Sequence, residues 1–303
     1  MSIKKNGNIY SSYHRIPEKP LFHYSSLKGL HGIVTSKSIW ATHYMFLNDS
    51  TEYTYGIGLA KTMLKKFIKE ESKNFCCKLS YDEMKAIEDR EDYIKNIPVF
   101  VSSFCEDGDL LSQWRGYSGV EGVSIGFDFS KLKDTFKNKN ENLGFYLNEC
   151  IYNKDKQSER IAQLWKDSKK ETNGNKDAKN INTWLANVAH NFLGKCMLSS
   201  PIFKDESFSE EKEWRLISNS FRFNKSDPRI KFRIKKSAII PYVEFKLTEK
   251  NQPLVFSEII LGPSSRNNTF SGFSVRSFFS AKDVNCSNIK YSKIPYKEIG
   301  GTP

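Results

Sequence analysis

The chain has 303 residues, 38% hydrophobic and 14% aromatic, enough for a substantial buried core in one large domain or two small ones. Mean hydropathy is −0.56, and no apolar run approaches the ~18–20 residues of a membrane span; the N-terminal MSIKKNGNIYSSYHR has no apolar segment of signal-peptide type. The formal net charge of +12 permits nucleic acid or another acidic partner by long-range attraction, although the Lys/Asn-rich stretches can equally be compositional bias, and the six cysteines show no CxxC pair, as expected of reduced thiols in a cytoplasmic protein.

Residues 1–19 are polar and are expected to be a flexible N-terminus. In LFHYSSLKGL (21–30) the period changes: Leu21, His23 and Ser25 alternate with Phe22 and Tyr24 as in a strand, then Leu27, Leu30, Ile33 and Val34 recur at helical spacing. A strand over 20–25 thus runs into a helix over 26–36, with a lone histidine just before the turn. SIWAT (38–42) reads as a second strand. In FLNDSTE (46–52), Asp49 and Glu52 have capping-box spacing, and the helix behind them places Tyr53, Ile57, Ala60, Leu64, Phe67 and Ile68 on one face.

PVFVSSFC (98–105) has the look of a buried strand. EDGDLLSQWRGYSGVEG (106–122) is a loop with a short helical turn, and VSIGFDF (123–129) and GFYLNECIY (144–152) are strands. The stretch 153–200 reads as a helical insertion: 153–180 is very polar, and Ile181, Trp184, Leu185, Val188, Phe192, Leu193 and Cys196 form a helical stripe best explained as core. KEWRLIS (212–218), IKFRI (230–234), PYVEFKL (241–247) and FSEIIL (256–261) are strands. A helix over 265–280 and a last strand over 286–296 close the chain. Strand signals flank every polar stretch, so residues 20–303 are expected to form a single α+β domain.

Several chemistries lack their motif. There is no GxxxxGK[ST] loop, GYSGVEG precedes a strand instead of following one, the five histidines show no HExxH or His/Cys ligand spacing, and there is no GxSxG elbow. No metal is therefore expected. Three stretches remain. His23 is either a satisfied core histidine or a ligand-binding one. Trp114, Arg115 and Tyr117 lie in a glycine-rich loop that can stack on a flat ring or cover a core edge. In SEEKEWRLIS, a strand phase puts Glu211, Glu213 and Arg215 on one face and Trp214 and Leu216 on the other, either as a reactive face or as the solvated side of an edge strand.

These stretches carry a resemblance. HYSS (23–26), FLNDSTE (46–52), WRGYSGVEGVSIGFD (114–128), EKEWRLIS (211–218), IILGP (259–263) and KIPYK (293–297) resemble, in order, the motifs of a large and mostly bacterial family of domains of unknown function. More distantly, the N-terminal part resembles ADP-ribosyltransferases, including the DarT-like toxins. That likeness implies an ADP-ribosyltransferase-like split mixed β-sheet core with helical insertions, and NAD⁺ as substrate.

It further implies His23 at the histidine place, Glu213 at the glutamate place with Glu211 assisting, and Tyr44, with Phe46 a rival, at the aromatic place. His23, Tyr24 and Ser25 would hold the nucleotide, Trp114 and Tyr117 would lie along it, and Arg115 would meet the pyrophosphate. Chemically such a set suffices: nicotinamide leaves as a neutral ring, and a carboxylate stabilises the oxocarbenium-like ribose that remains. The implied function is ADP-ribose transfer to a macromolecule, nucleic acid favoured, by a toxin or phage-defence effector with an antitoxin or defence-system partner. The alternative is a non-catalytic nucleic-acid- or protein-binding module.

Overall fold

The computed structural model describes residues 15–47, 51–85, 87, 98–119, 121–132, 144–172, 181–218, 227–235, 237–249, 252–264, 269–286 and 288–295. Asp49, the expected helix cap, lies outside them, as do the side chain of Glu52 and residues 296–297 of the closing motif.

The strand-to-helix switch occurs as the period demands. β1 (Leu21–Ser25) ends at Ser26, whose side chain accepts the Gly29 amide at 3.1 Å and so caps α1 (Leu27–Ser36). α1 buries Leu30, Ile33 and Val34 and stops at Lys37, which takes a left-handed conformation (φ 48°) and leads into β2 (Ser38–His43). α2 (Thr51–Asn74) follows, then β3 (Phe100–Cys105), a helical turn over 111–118, β4 (Val123–Phe127) and β5 (Tyr146–Glu149). The expected insertion is two helices, α3 (Lys154–Glu171) and α4 (Ile181–Ser199).

β6 (Glu213–Ile217), β7 (Lys231–Lys235), β8 (Ala238–Lys246), β9 (Leu254–Phe256), β10 (Glu258–Leu261), α5 (Thr269–Ala281), β11 (Val284–Cys286) and β12 (Ile289–Tyr291) complete the order. The strand expected over 256–261 is β10, with Phe256 instead ending the separate β9, and of the strand expected over 286–296 the described residues form β12 and the end of β11.

Most strands join one mixed sheet in the order β12-β10-β4-β1-β3-β2-β8-β7, with β6 also on β3 and β5 on β6; β9 and β11 pair separately. β3 organises it. β6 takes one edge of β3 along Val101–Cys105, so β1 and β2 must share the other edge. β2 pairs there at Phe100 and Val101 and β1 only at Cys105. The ladder is open between them, and the sheet is split beside Ser102–Phe104.

Each face has its own core. On one, Phe100, Phe104, Ile125, Phe127, Leu216 and Phe245 pack under α1 and α5. On the other, Val101, Tyr146 and Ile217 pack under α2, α3 and α4, where the stripe Trp184, Leu185, Val188, Phe192 and Leu193 is core. No described helix is long and apolar enough to cross a membrane.

Candidate active site

His23 sits at the split. Its Nδ1–H donates to the Ser103 carbonyl at 2.9 Å, in the stretch of β3 that neither β1 nor β2 pairs. A carbonyl only accepts, so this bond fixes the tautomer and leaves Nε2 as an acceptor. The ring lies against Phe104, with centroids 5.6 Å apart. Burial lowers the imidazole pKa, the Ser103 bond opposes that, and the charge of Arg233 lowers it again. His23 is thus a neutral imidazole held rigidly at the opening in the sheet.

Glu213 begins β6 and is 3% exposed. Its backbone is fixed on both sides: its N–H donates to the Tyr152 hydroxyl at 2.9 Å, and its carbonyl accepts the Cys150 amide at 2.8 Å. Arg215, two residues on, reaches back with Nε and Nη2 at 2.8 and 3.1 Å, and Lys204 donates to Oε2 at 2.5 Å. Burial alone would raise the carboxyl pKa; the Arg215 and Lys204 charges outweigh it and hold Glu213 at about 2. Lys204 also pairs with Glu211, and Arg215 donates to the Pro201 carbonyl at 2.6 Å. Glu213 is therefore ionised at neutral pH and enclosed in an ion cluster.

The expectation that Glu211 shares the strand is corrected. Glu211 ends a 3₁₀ turn (Glu206–Glu211), and Lys212, with φ 42°, swings the chain before β6 begins. Glu211 and Glu213 meet through Lys204 and not through strand phase. The solvated-face alternative for Glu213 is also overturned, because β6 lies between β3 and β5 with α4 and its following turn above it.

His23 and Glu213 are not brought together. Phe22, Cys105 and Glu213 fall in one row across β1, β3 and β6, so their side chains share a face. His23, one residue further, points to the opposite face, beside Phe104.

The expected aromatic residues divide between core and surface. Trp114 is 0% exposed and packs edge-on against Tyr24 at 4.9 Å. The Tyr24 hydroxyl donates to the Asp107 carbonyl and accepts the Leu110 amide, the Trp114 indole donates to Asp109, and Asp109 also takes Ser292 and the Lys293 amide. Trp114 and Tyr24 therefore fasten the 106–118 loop onto β1; as placed, neither ring can stack on a ligand. Tyr44 is likewise in the core under the helices, stacked on His43 at 4.8 Å, whereas Phe46 is exposed. Arg115 and Tyr117 are exposed on the same loop. Ser25 packs against Gly29, where an added Cβ would lie 2.0 Å from its hydroxyl.

Residues not singled out in the sequence hold much of this arrangement. Lys204 is almost wholly buried, yet it stands in PIFKDES with no periodic signal. Arg233 did have one: KFRIK (231–235) alternates cation and apolar residue, which places Lys231 and Arg233 on one face of β7. Among the described residues no group of three or more His, Cys, Asp or Glu could hold a metal ion.

The fold and site thus define a mixed α+β protein with a split sheet, a fixed histidine at the split and, on the opposite face of the sheet, a buried carboxylate held by two cations. A family model described as "Protein of unknown function (DUF2971)" matches residues 113–216, a stretch that includes Trp114, Arg115, Tyr117, Glu211 and Glu213 but not His23. Searches of curated proteins and of solved structures gave no match.

Proposed function

We propose that this chain is an ADP-ribosyltransferase-like enzyme that binds NAD⁺ at the split between β1 and β2 and passes ADP-ribose to a macromolecule, with nucleic acid as the favoured acceptor. The observation that carries this reading is His23: a neutral imidazole, oriented by the Ser103 carbonyl, whose Nε2 can accept a ribose hydroxyl. Two further features agree with it. Glu213 is ionised, as a stabiliser of an oxocarbenium-like ribose must be. The surplus of positive charge suits a polyanionic acceptor.

The enclosure of Glu213, and its place on the face of the sheet opposite His23, favour a second reading. Its oxygens already face Lys204 and Arg215, so it could meet a ribosyl cation only by giving up part of that pairing. If the pairing is permanent, the EKEWR strand is structural and the chain is a non-catalytic module that binds nucleic acid or protein.

Nicotinamide release from NAD⁺ separates the two. The purified protein is incubated with NAD⁺ and cell extract, alongside Glu213→Gln and His23→Ala variants checked for folding. The enzyme reading expects release by the wild type, a loss on the order of 10²–10³-fold in a folded Glu213→Gln protein, and weaker NAD⁺ binding in His23→Ala. No release by the wild type, or full activity in folded Glu213→Gln, favours the binding module.

A further inference from the structure

On the face of the sheet formed by β2, β8 and β7, the Arg233 guanidinium lies beside two aromatic rings, 5.3 Å from the Trp40 centroid and 5.9 Å from that of Tyr242. Nη2 donates to the Thr42 hydroxyl at 2.8 Å. Nε is shielded from water and meets no acceptor, and the same is true of the Trp40 indole nitrogen. No carboxylate among the described residues pairs with Arg233. Glu244, the one acidic residue of β2, β7 and β8, is already held by Lys231 at 2.8 Å and by Lys246 at 2.8 Å. Among the described side chains of this face, the cations Lys231, Arg233 and Lys246 are thus set against one carboxylate.

A half-buried guanidinium with an unanswered N–H, next to an unanswered indole N–H, is costly for a purely structural residue, because each buried donor without an acceptor is destabilising. Cation–π contact offsets part of that cost but supplies no acceptor to either donor. Neither donor is open to solvent as placed, so an anion reaches them only when the covering side chains shift; one with several oxygens then answers both. The planar guanidinium suits a phosphate in particular, since it can give two parallel hydrogen bonds to a tetrahedral oxyanion while Thr42 holds the group in place.

We infer that Trp40, Thr42, Arg233 and Tyr242 form a binding site for the phosphate group of a small molecule. The excess positive charge of the face brings the anion in, the aromatic rings hold the guanidinium, the Arg233 and Trp40 donors receive the anion, and Glu244, neutralised by its two lysines, does not repel it. The site borders the split, since the charge of Arg233 reaches His23, but the inference does not need the NAD⁺ reading, because any small phosphate-bearing ligand has the required chemistry.

The test uses the full chain labelled with ¹⁵N at its five tryptophans. The indole signal absent from Trp40→Phe identifies Trp40. At constant ionic strength, inorganic phosphate and pyrophosphate should move that signal saturably while chloride does not. Arg233→Gln and Thr42→Val should weaken the response, the first by about tenfold or more, as expected on deleting a charge-assisted hydrogen bond. Arg233→Lys, which keeps the charge and loses the fork, should fall between wild type and Arg233→Gln. Thermal melting with and without pyrophosphate gives a second readout, in which stabilisation is present in the wild type and absent in Arg233→Gln. The inference is overturned if neither phosphate nor pyrophosphate moves the signal or the melting temperature, or if Arg233→Gln responds as the wild type does. A single-stranded oligonucleotide that binds here more tightly than pyrophosphate would also overturn it and assign the site to a nucleic-acid backbone.

Discussion

Lys204 and Glu213 meet at 2.5 Å with side chains only 1% and 3% exposed, nine residues apart in sequence and joined across the turn that leads into β6. Charges so far from water are tolerated because each has more than one partner: Lys204 is also paired with Glu211, and Glu213 with Arg215. Removing one member leaves another buried and under-compensated. Glu213→Gln should therefore cost about 3–5 kcal/mol of folding stability, measured by urea unfolding, and Lys204→Met a similar amount. The double variant should lose less than the sum of the two, since neither charge is then left alone. Strict additivity would show that the pair is not coupled.

The two sets of aromatic residues should respond oppositely to truncation. Trp114→Ala empties a fully buried site and releases Asp109, so a loss of about 3–5 kcal/mol is expected. Tyr117→Ala and Phe46→Ala, at exposed positions, should each change stability by no more than about 0.5 kcal/mol. If either ring lies along a bound nucleotide, its removal raises the KM for NAD⁺ in an otherwise normal melt. An unchanged KM in both variants would remove them from the nucleotide site.

His43 makes stability depend on pH. Burial lowers its pKa from 6.5 to about 4, and its Nδ1 accepts the Met45 amide at 3.3 Å, a bond that protonation there would abolish. The folded pKa lies below the unfolded one, so the unfolded chain binds the proton first. The stabilisation is complete above pH 6.5 and is lost as pH falls toward about 4. The full loss is about 3 kcal/mol, from roughly 1.4 kcal/mol per pH unit. The melting temperature should fall across this window, and His43→Gln should flatten the fall. His23, also lowered by burial, acts in the same direction, so some slope should persist in that variant.

The excess of Lys and Arg should show itself in nucleic-acid binding that weakens steeply with salt, because phosphate contacts release condensed counterions. Titration of an oligonucleotide at about 50 mM and about 200 mM salt checks this, with a loss on the order of 10³-fold or more expected if six or more phosphates are contacted. Absence of binding at both would leave a protein acceptor, or none.

Much of the local structure was legible because it rests on near neighbours. The change of period at Ser25 and Ser26 set the end of β1 and the start of α1, and the stripe from Ile181 to Cys196 marked a buried helix, since 3.6-residue spacing and burial are two sides of one geometry. The break at Ser257 and the two short strands after α5 were not legible, because a local strand pattern carries no sign of which strand it pairs with, and here β11 pairs with β9 and β12 with β10.

The sequence by itself determined most of the strands and helices, and that a histidine, two glutamates and an arginine were the groups to weigh. Only the tertiary structure decided what they meet. Glu213 reads as a strand-face carboxylate until Lys204 folds over it, and Trp114 reads as a loop aromatic until Tyr24 and Asp109 enclose it. Arg233 is one cation among many in the sequence; what sets it apart is that no carboxylate among the described residues pairs with it, and that depends on β2, β7 and β8 lying side by side. Secondary structure follows from periods within a few residues, whereas burial, charge compensation and the side of the sheet a residue faces depend on pairings between distant segments, which no local pattern encodes.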